Sequence, residues 1–382
     1  MRRHSAFLFL LLAAAALVGA CGKKELPDLA IGVIAELTGD IPAVGASCKN
    51  AAEMAVGEIN EAGGVKVAGK AYRLRLVVED SKGNAAEAGE ALKRLASEDK
   101  VFAIVGPNAS MGAIPAAEVA EETRIPMITP WSTNPLTTAG KKWVFRSCFT
   151  DAFEGHVLAR FATGFLHAAK AAVLYDPDSQ APRSQAELFR KDFEEAGGKV
   201  VAFETYKTGD KDFAAPLGRI AAAAPDILFL PSYYNEVPLQ IKQARKIGIK
   251  VPFLGSDNWS SPDLVKLAGG DAEGATFCNH YAPEVRVDAV ARFVTPYKNK
   301  YGQTPDDVAA LTYDSFKLLA KALAGASGLD REAIREALSK IREFEGVTGK
   351  MTFKEGSGDP VKSAVMMRVE GGKPVFVTTI DP

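Results

Sequence analysis

Two hydroxyl residues, Ser110 and Thr133, stand in turns that follow short apolar runs at 101–105 and 125–128. Gly106-Pro107 stops the first run, and Ser110 then opens an Ala-rich segment with apolar residues at Met111, Ile114 and Val119. The second run ends in Thr129-Pro130-Trp131-Ser132-Thr133-Asn134-Pro135. If the runs are parallel strands, both turns lie at the carboxyl ends of neighbouring strands, where open α/β sheets bind ligands. A helix N-terminus there offers unpaired N–H groups and a positive dipole end, and the hydroxyls add donors. Neither turn contains Lys or Arg, so neutral donors would hold the anion, which suits a carboxylate better than a phosphate chain. On these residues alone, Ser110 and Thr133 read first as plain helix caps, since the N-cap preference of Ser and Thr is strong.

The elements that would position these turns alternate along the chain. Strands are predicted at 30–35, 73–78, 101–105, 127–129, 172–175, 200–204, 227–230 and 253–255. Helices are predicted at 47–62, 85–97, 153–167, 185–196, 213–223 and 236–247, with Gly pairs at 63–64 and 197–198 closing two of them. Such alternation predicts parallel sheets with helices on both faces, in two α/β lobes. After Gly274 the pattern changes to a strand at 275–280, helices near 289–301, 306–324 and 331–339, and a β-rich tail at 347–377. A tail of strands that short must rejoin a lobe, so the domains are discontinuous. The chain is expected to cross between lobes near 145–149, 275–280 and 347–353.

At the start, Arg2, Arg3 and His4 precede an uninterrupted apolar run at 6–18. That run is short for a bilayer span and reads as a signal peptide, 1–20. Val18-Gly19-Ala20-Cys21 resembles the lipobox of bacterial lipoproteins, which would make Cys21 the lipidated N-terminus, followed by a polar tether at 21–27. The chain has 382 residues, 47% hydrophobic and 24% charged with net charge −1. Its length without the signal suits two domains, and its charge gives no reason to expect nucleic acid or a membrane surface as partner.

No enzyme signature appears. There is no G-x-S-x-G elbow, no P-loop, no G-x-G-x-x-G after a strand, and no CxxC or HExxH metal motif. Neither a cofactor nor a metal is expected. His156 and His167 would fall near one helix face and flank a core stripe. Cys48, Cys148 and Cys278 lack metal-type spacing and allow one disulfide with one free thiol.

Several stretches together resemble the periplasmic branched-chain amino acid-binding proteins, the type I solute-binding proteins of ABC importers. They are IGVIAELTGDIPAVG, AAEMAVGEINEAGGV, VGPNASMGAIPAAEVAEETRIPMITPWSTNP, FRSCFTDAFEG, YDPDSQAPRSQAELFRKDFEEAGGKVV, KTGDKDFAAPLGRI and ILFLPSYYNEVPLQIKQARKIGIKVPFLGSD. The resemblance implies a type I periplasmic binding protein fold, α/β, with two doubly wound parallel-sheet lobes on a three-segment hinge. Lobe 1 would comprise 28–146 plus 277–347, and lobe 2 would comprise 147–276 plus 348–382. It implies a monomer in the cell envelope that captures an amino acid, branched-chain-like or larger and aromatic, and delivers it to an ABC permease and ATPase. The alternatives are a ligand-sensing protein of the same fold with a signalling partner, and a binder of a carboxylate that lacks an amine.

Carried over residue by residue, the resemblance puts the ligand carboxylate on Ser110 and Thr133, with Ala109 and the N–H groups near Trp131 and Thr133 completing the cradle. The ammonium would meet Asp257, and Tyr233 would cover the ligand. By itself Asp257 also reads as a cap, and Asp151 reads as a cap or as a residue behind the ligand. Val44 stands where the family often has an aromatic, and Ala181-Pro182 where it usually has Tyr-Gly. Both exchanges remove bulk from the side-chain end, which Trp131 and Trp259 would refill or leave open for a larger ligand. The family's small disulfide loop is missing at 80–83.

Overall fold

The computed structural model describes residues 26–382. The signal peptide, Cys21 and most of the tether lie outside the described residues. No described helix is long and apolar enough to cross a membrane.

The first sheet holds β1 (Asp28–Ala35), β2 (Val65–Val67), β3 (Lys70–Asp80), β4 (Ala103–Val105), β5 (Met127–Thr129) and β6 (Val144–Arg146), in the order β2-β3-β1-β4-β5-β6. Every pairing is parallel except the β2–β3 hairpin. Its helices are α1 (Pro42–Glu61), α2 (Ala85–Ser97) and α3 (Ser110–Thr123). Helix α1 starts five residues earlier than its apolar pattern predicts, because Pro42 fits the first helical turn, where its missing N–H costs nothing.

The second sheet is built from α4 (Asp151–Arg160), β7 (Lys170–Tyr175), α5 (Gln180–Glu195), β8 (Lys199–Thr205), α6 (Ala214–Ala222), β9 (Ile227–Leu230), α7 (Val237–Lys246), β10 (Phe253–Gly255), α8 (Pro262–Ala268) and β11 (Thr276–Asn279). Pro182 sits in the first turn of α5 and is tolerated there, so the helix opens at Gln180 rather than 185. Helix α4 ends at Arg160 and runs into a π turn, Phe161–Phe165. The expectation that His156 and His167 flank a core stripe fails: His156 is exposed, and His167 lies beyond the helix at φ 54°.

Helices α9 (Asp288–Tyr301), α10 (Asp307–Gly325) and α11 (Arg331–Lys340) return to the first lobe, where α10 packs along α1. Strands β12 (Glu343–Gly346), β13 (Gly349–Phe353) and β14 (Pro360–Val361) form a small antiparallel sheet of their own. It is tied to the first lobe: Arg146 N donates to Gly358 O at 2.9 Å, and Asp314 accepts from Val347 N at 2.8 Å and Thr348 N at 2.9 Å. Assigning 348–363 to lobe 2, with a crossing at 347–353, is therefore corrected. Only β15 (Ala364–Glu370) and β16 (Lys373–Ile380) join the second sheet, whose order is β16-β15-β11-β10-β9-β7-β8. Likewise Phe277–Asn279 belong to β11 of the second sheet rather than to lobe 1. The tail's crossing is fixed by Lys362, buried, whose Nζ donates to Ser147 O at 3.2 Å and Thr348 Oγ1 at 2.7 Å.

In both sheets the strand order reverses beside the first strand of the lobe, β1 and β7. The loops after β1, β4 and β5 in one lobe thus gather opposite those after β9, β10 and β11 in the other. Among the described residues, Cys48, Cys148 and Cys278 are free and buried, so no disulfide forms between them.

Candidate functional site

The first-lobe wall begins at Gly106, which has φ +98° and whose missing Cβ would lie 2.1 Å from Ile34 O. Only glycine permits that approach, and it brings the start of α3 against the end of β1. Ser110 is not the cap expected from sequence. The capping position is Ala109, whose side chain has nothing to cap with, and Ser110 is the first helical residue. The carboxylate that serves α3 comes from Glu36, unforeseen in the sequence. Glu36 Oε1 accepts from Asn108 N and Ala109 N, both at 2.9 Å, and Oε2 from Asn108 Nδ2 at 2.8 Å. Burial pushes the Glu36 carboxyl up. The amide of Ala109, a candidate cradle donor, is thus committed to Glu36.

Ser110 keeps its hydroxyl hydrogen, because its Oγ accepts from Ser132 Oγ at 2.9 Å. Ser132 Oγ in turn lies 2.7 Å from Thr137 Oγ1. The turn carrying Thr133 is held by one buried guanidinium. Arg146 NH1 donates to Ser132 O at 2.6 Å, NH2 to Asn134 O at 3.1 Å and Thr138 Oγ1 at 2.6 Å, and Nε to Asp359 at 2.6 Å. Both carbonyls flanking Thr133 therefore point away from the cleft into Arg146. Thr133 itself is buried, and its O accepts from Asp151 N at 2.9 Å.

Asp151 corrects a second expectation. The cap of α4 is Thr150, whose Oγ1 accepts from Phe153 N at 3.4 Å. Asp151 is fully buried, and neither carboxylate oxygen has a hydrogen-bond partner in the protein. Burial pushes its carboxyl up to about 6, tempered by Ser184, Thr133 and Arg146 nearby. One turn on, Glu154 Oε1 accepts from Asp257 N at 2.8 Å. Gln185 Nε2 bridges Glu154 Oε2 and Asp257 Oδ1, at 2.9 Å to each. Asp257 is not a cap either, since its Oδ2 lies 3.1 Å from His280 Nε2. Burial, then the neighbouring acids, hold Glu154 up at about 8 and raise Asp257. Burial drives His280 well below its ordinary range, so the ring is neutral, and it stacks on Phe149 at 3.8 Å. Uncompensated buried carboxylates of this kind call for a cation.

The aromatic side is made by Trp131 and Tyr233, ring centroids 6.0 Å apart. Trp131 Nε1 donates to Asp307 Oδ2 at 3.0 Å, which brings α10 to the site. Val44 and Ala181 are buried in the first turns of α1 and α5. Trp259 does not form a wall. It packs over Gly255, donates Nε1 to Leu230 O at 2.8 Å and belongs to the second lobe's core. Asp257, His280 and Asp307 also form a group whose ligand atoms lie within 4.8 Å of one another.

The residues join into a chain of neighbours from Ser110 through Thr133, Asp151 and Asp257 to Trp131. Hydroxyl donors stand at one end and unpaired acids at the other, the complement of a zwitterion. If an ammonium pairs with Asp151, binding must hold that carboxyl ionised. Amino acid affinity is then expected to weaken about fivefold between pH 6 and pH 5, approaching the limiting slope of about tenfold per pH unit for one linked proton only below that. Asp151→Asn should flatten that fall, as read by calorimetry across pH. An affinity constant over this range would disprove the pairing.

Comparisons with known proteins follow the same lines. The family described as periplasmic binding protein matches residues 28–373. A leucine-, isoleucine-, valine-, threonine- and alanine-binding protein of Pseudomonas aeruginosa is 29% identical over 360 residues, covering 93% of this chain and 94% of the relative. The solved structure of leucine-binding protein LivK from Thermotoga maritima matches with TM-score 0.87 at 35% identity, covering 93% of this chain and 99% of that one. LivJ from Streptococcus pneumoniae, in complex with isoleucine, gives TM-score 0.86 at 33% identity, covering 93% and 100%. The chain belongs to the periplasmic binding protein family, with the type I fold of branched-chain amino acid ABC transporter substrate-binding proteins. This family binds solutes and does not catalyse reactions on them.

Proposed function

We propose that the protein is an extracytoplasmic lipoprotein that captures an α-amino acid between its lobes and delivers it to an ABC permease with its ATPase. The observation that carries the reading is Asp151, buried with both oxygens unpaired and bonded through its backbone to the Thr133 turn. Ser110 and Thr133 grip the carboxylate, Asp151 and Asp257 meet the ammonium, and Tyr233 covers the body of the ligand. Because these groups come from both lobes, the ligand binds the closed form better and shifts the population toward it. The protein acts as a monomer and uses no cofactor.

A thermal-shift screen over amino acids, aromatic acids and short amides tests this, since a ligand that binds only the folded state raises its melting temperature. Amino acids are the expected hits, with compaction in small-angle scattering. Hits confined to carboxylates without an amine would remove the amino acid, and an unchanged scattering profile at saturation would remove the closing trap.

Cys21 carries the lipid in this reading, through the lipobox-like Val18–Cys21 stretch. Cys21→Ser is expected to move the protein from the membrane to the soluble fraction. Mass spectrometry showing an unacylated wild type would refute the anchor.

A further inference from the structure

The acceptors around the site outnumber what one ammonium needs, and the surplus lies at Asp307. Asp307 is the first residue of α10, from the first lobe, and is fully buried. Its Oδ2 accepts from Trp131 Nε1 at 3.0 Å, while Oδ1 has no partner. Across from it, Asp257 and His280 from the second lobe bring their ligand atoms within 4.8 Å of that carboxylate and of each other. His280 Nδ1 is also without a partner. Lys362, a buried cation in the hinge close enough to feel the Asp307 charge, gives its hydrogen bonds to Ser147 O and Thr348 Oγ1 rather than to Asp307.

Resting on the amino acid reading above, we propose that the side chain of the ligand ends in a cation, an ammonium or guanidinium, received by Asp307 and His280, with Asp257 standing between it and the α-ammonium. The α-ammonium engages Asp151 at the other end of the acid row, so a ligand with one cation leaves the Asp307 oxygen unmet. A hydrocarbon side chain would press apolar surface onto a buried carboxylate, which is unfavourable unless that group is paired. Burial and the neighbouring Asp306 and Asp257 hold the Asp307 carboxyl well above its ordinary range, a state that a bound cation reverses. The Trp131–Tyr233 pair supplies aromatic faces beside it, which attract cations as well as alkyl stems.

Lysine and norleucine differ chiefly by the terminal amine, so their ratio reads this subsite directly. Calorimetry on the wild type is expected to give lysine, ornithine or arginine at least tenfold tighter than norleucine and leucine. Asp307→Asn should remove most of that preference, and Asp307→Leu should reverse it; the isosteric Asn variant keeps the test open if the Leu variant misfolds. Norleucine or leucine binding as tightly as lysine, unaltered by Asp307→Asn, overturns the cationic side chain and leaves the amino acid reading intact. If no amino acid binds and an amine-free carboxylate does, both fall. Manganese chloride alone serves as the remaining arm: quenching of Trp131 fluorescence that Asp307→Asn abolishes, with no lysine preference, would assign the acids to a metal ion and overturn the proposal.

Discussion

Replacing Asp151 by asparagine is expected to weaken amino acid binding by about two to four orders of magnitude and, at the same time, to make the free protein more stable. The two effects share one cause. In the unfolded chain an Asp carboxyl ionises near 3.8, whereas burial raises this one to about 6 in the folded state. The folded state therefore holds a proton that the unfolded state has lost between those values, so stability falls as pH rises through that window. Above it the ionised, unpaired carboxylate costs about 3 kcal/mol, which the neutral amide does not. At pH 8 the variant should melt several degrees higher, and the gain should vanish below about pH 4. Binding moves oppositely, because an ammonium deprived of its buried counter-charge loses roughly 3–5 kcal/mol. A variant that binds normally would remove Asp151 from the site. One that loses binding and stability together would make it a structural residue.

The second large effect is expected at Arg146, which acts on the ligand only by shaping the Thr133 turn. Arg146→Met leaves Asn134 O buried without its donor, leaves Ser132 O with only the weak Cys148 thiol, and takes from Asp359 its counter-charge, keeping only the Thr138 hydroxyl. Each unmet acceptor costs about 1–3 kcal/mol, so urea unfolding should show a loss of several kcal/mol in all. Affinity should fall with it, because the carbonyls are freed to turn toward the ligand carboxylate. Arg146→Lys should not rescue either readout, since one ammonium cannot reproduce a planar fork with four acceptors. A destabilisation below about 1 kcal/mol, with unchanged affinity, would show that the turn holds its own shape.

Much of this architecture is legible in the sequence for a simple reason. Strands such as Met127–Thr129, Ile227–Leu230 and Phe253–Gly255 are buried on both faces, so an apolar run bounded by polar turns marks them to the residue. Ser110, Thr133, Tyr233 and Asp257 stand just past such ends, and the structure brings them together. Not legible in the sequence is what the topology brings in from elsewhere. Glu36, His280 and Asp307 carry no local pattern; each needs the sheets paired and the crossings placed before it has neighbours. Glu154 had a signal, an acid one turn after Asp151, but acids in a first helical turn usually serve the helix dipole. Trp259 belongs to the core and not to a ligand wall, because Gly255 beneath it makes room for its ring there. The small β12–β14 sheet is not legible in this way, because strands this short do not announce their partner.

The two closing strands of the second sheet have a consequence for how the chain is made. Strand β11 pairs on one edge with β10, and its other edge is satisfied only by β15, with β16 beyond it. Between β11 and β15 the chain leaves to build α9, α10 and α11 and the small sheet. A nascent chain emerging N-terminus first thus cannot complete this lobe until nearly all of it has been synthesised, and such distant pairings form slowly. Late completion keeps the polypeptide open for longer, the condition under which a chain can be threaded through a narrow export channel before it locks.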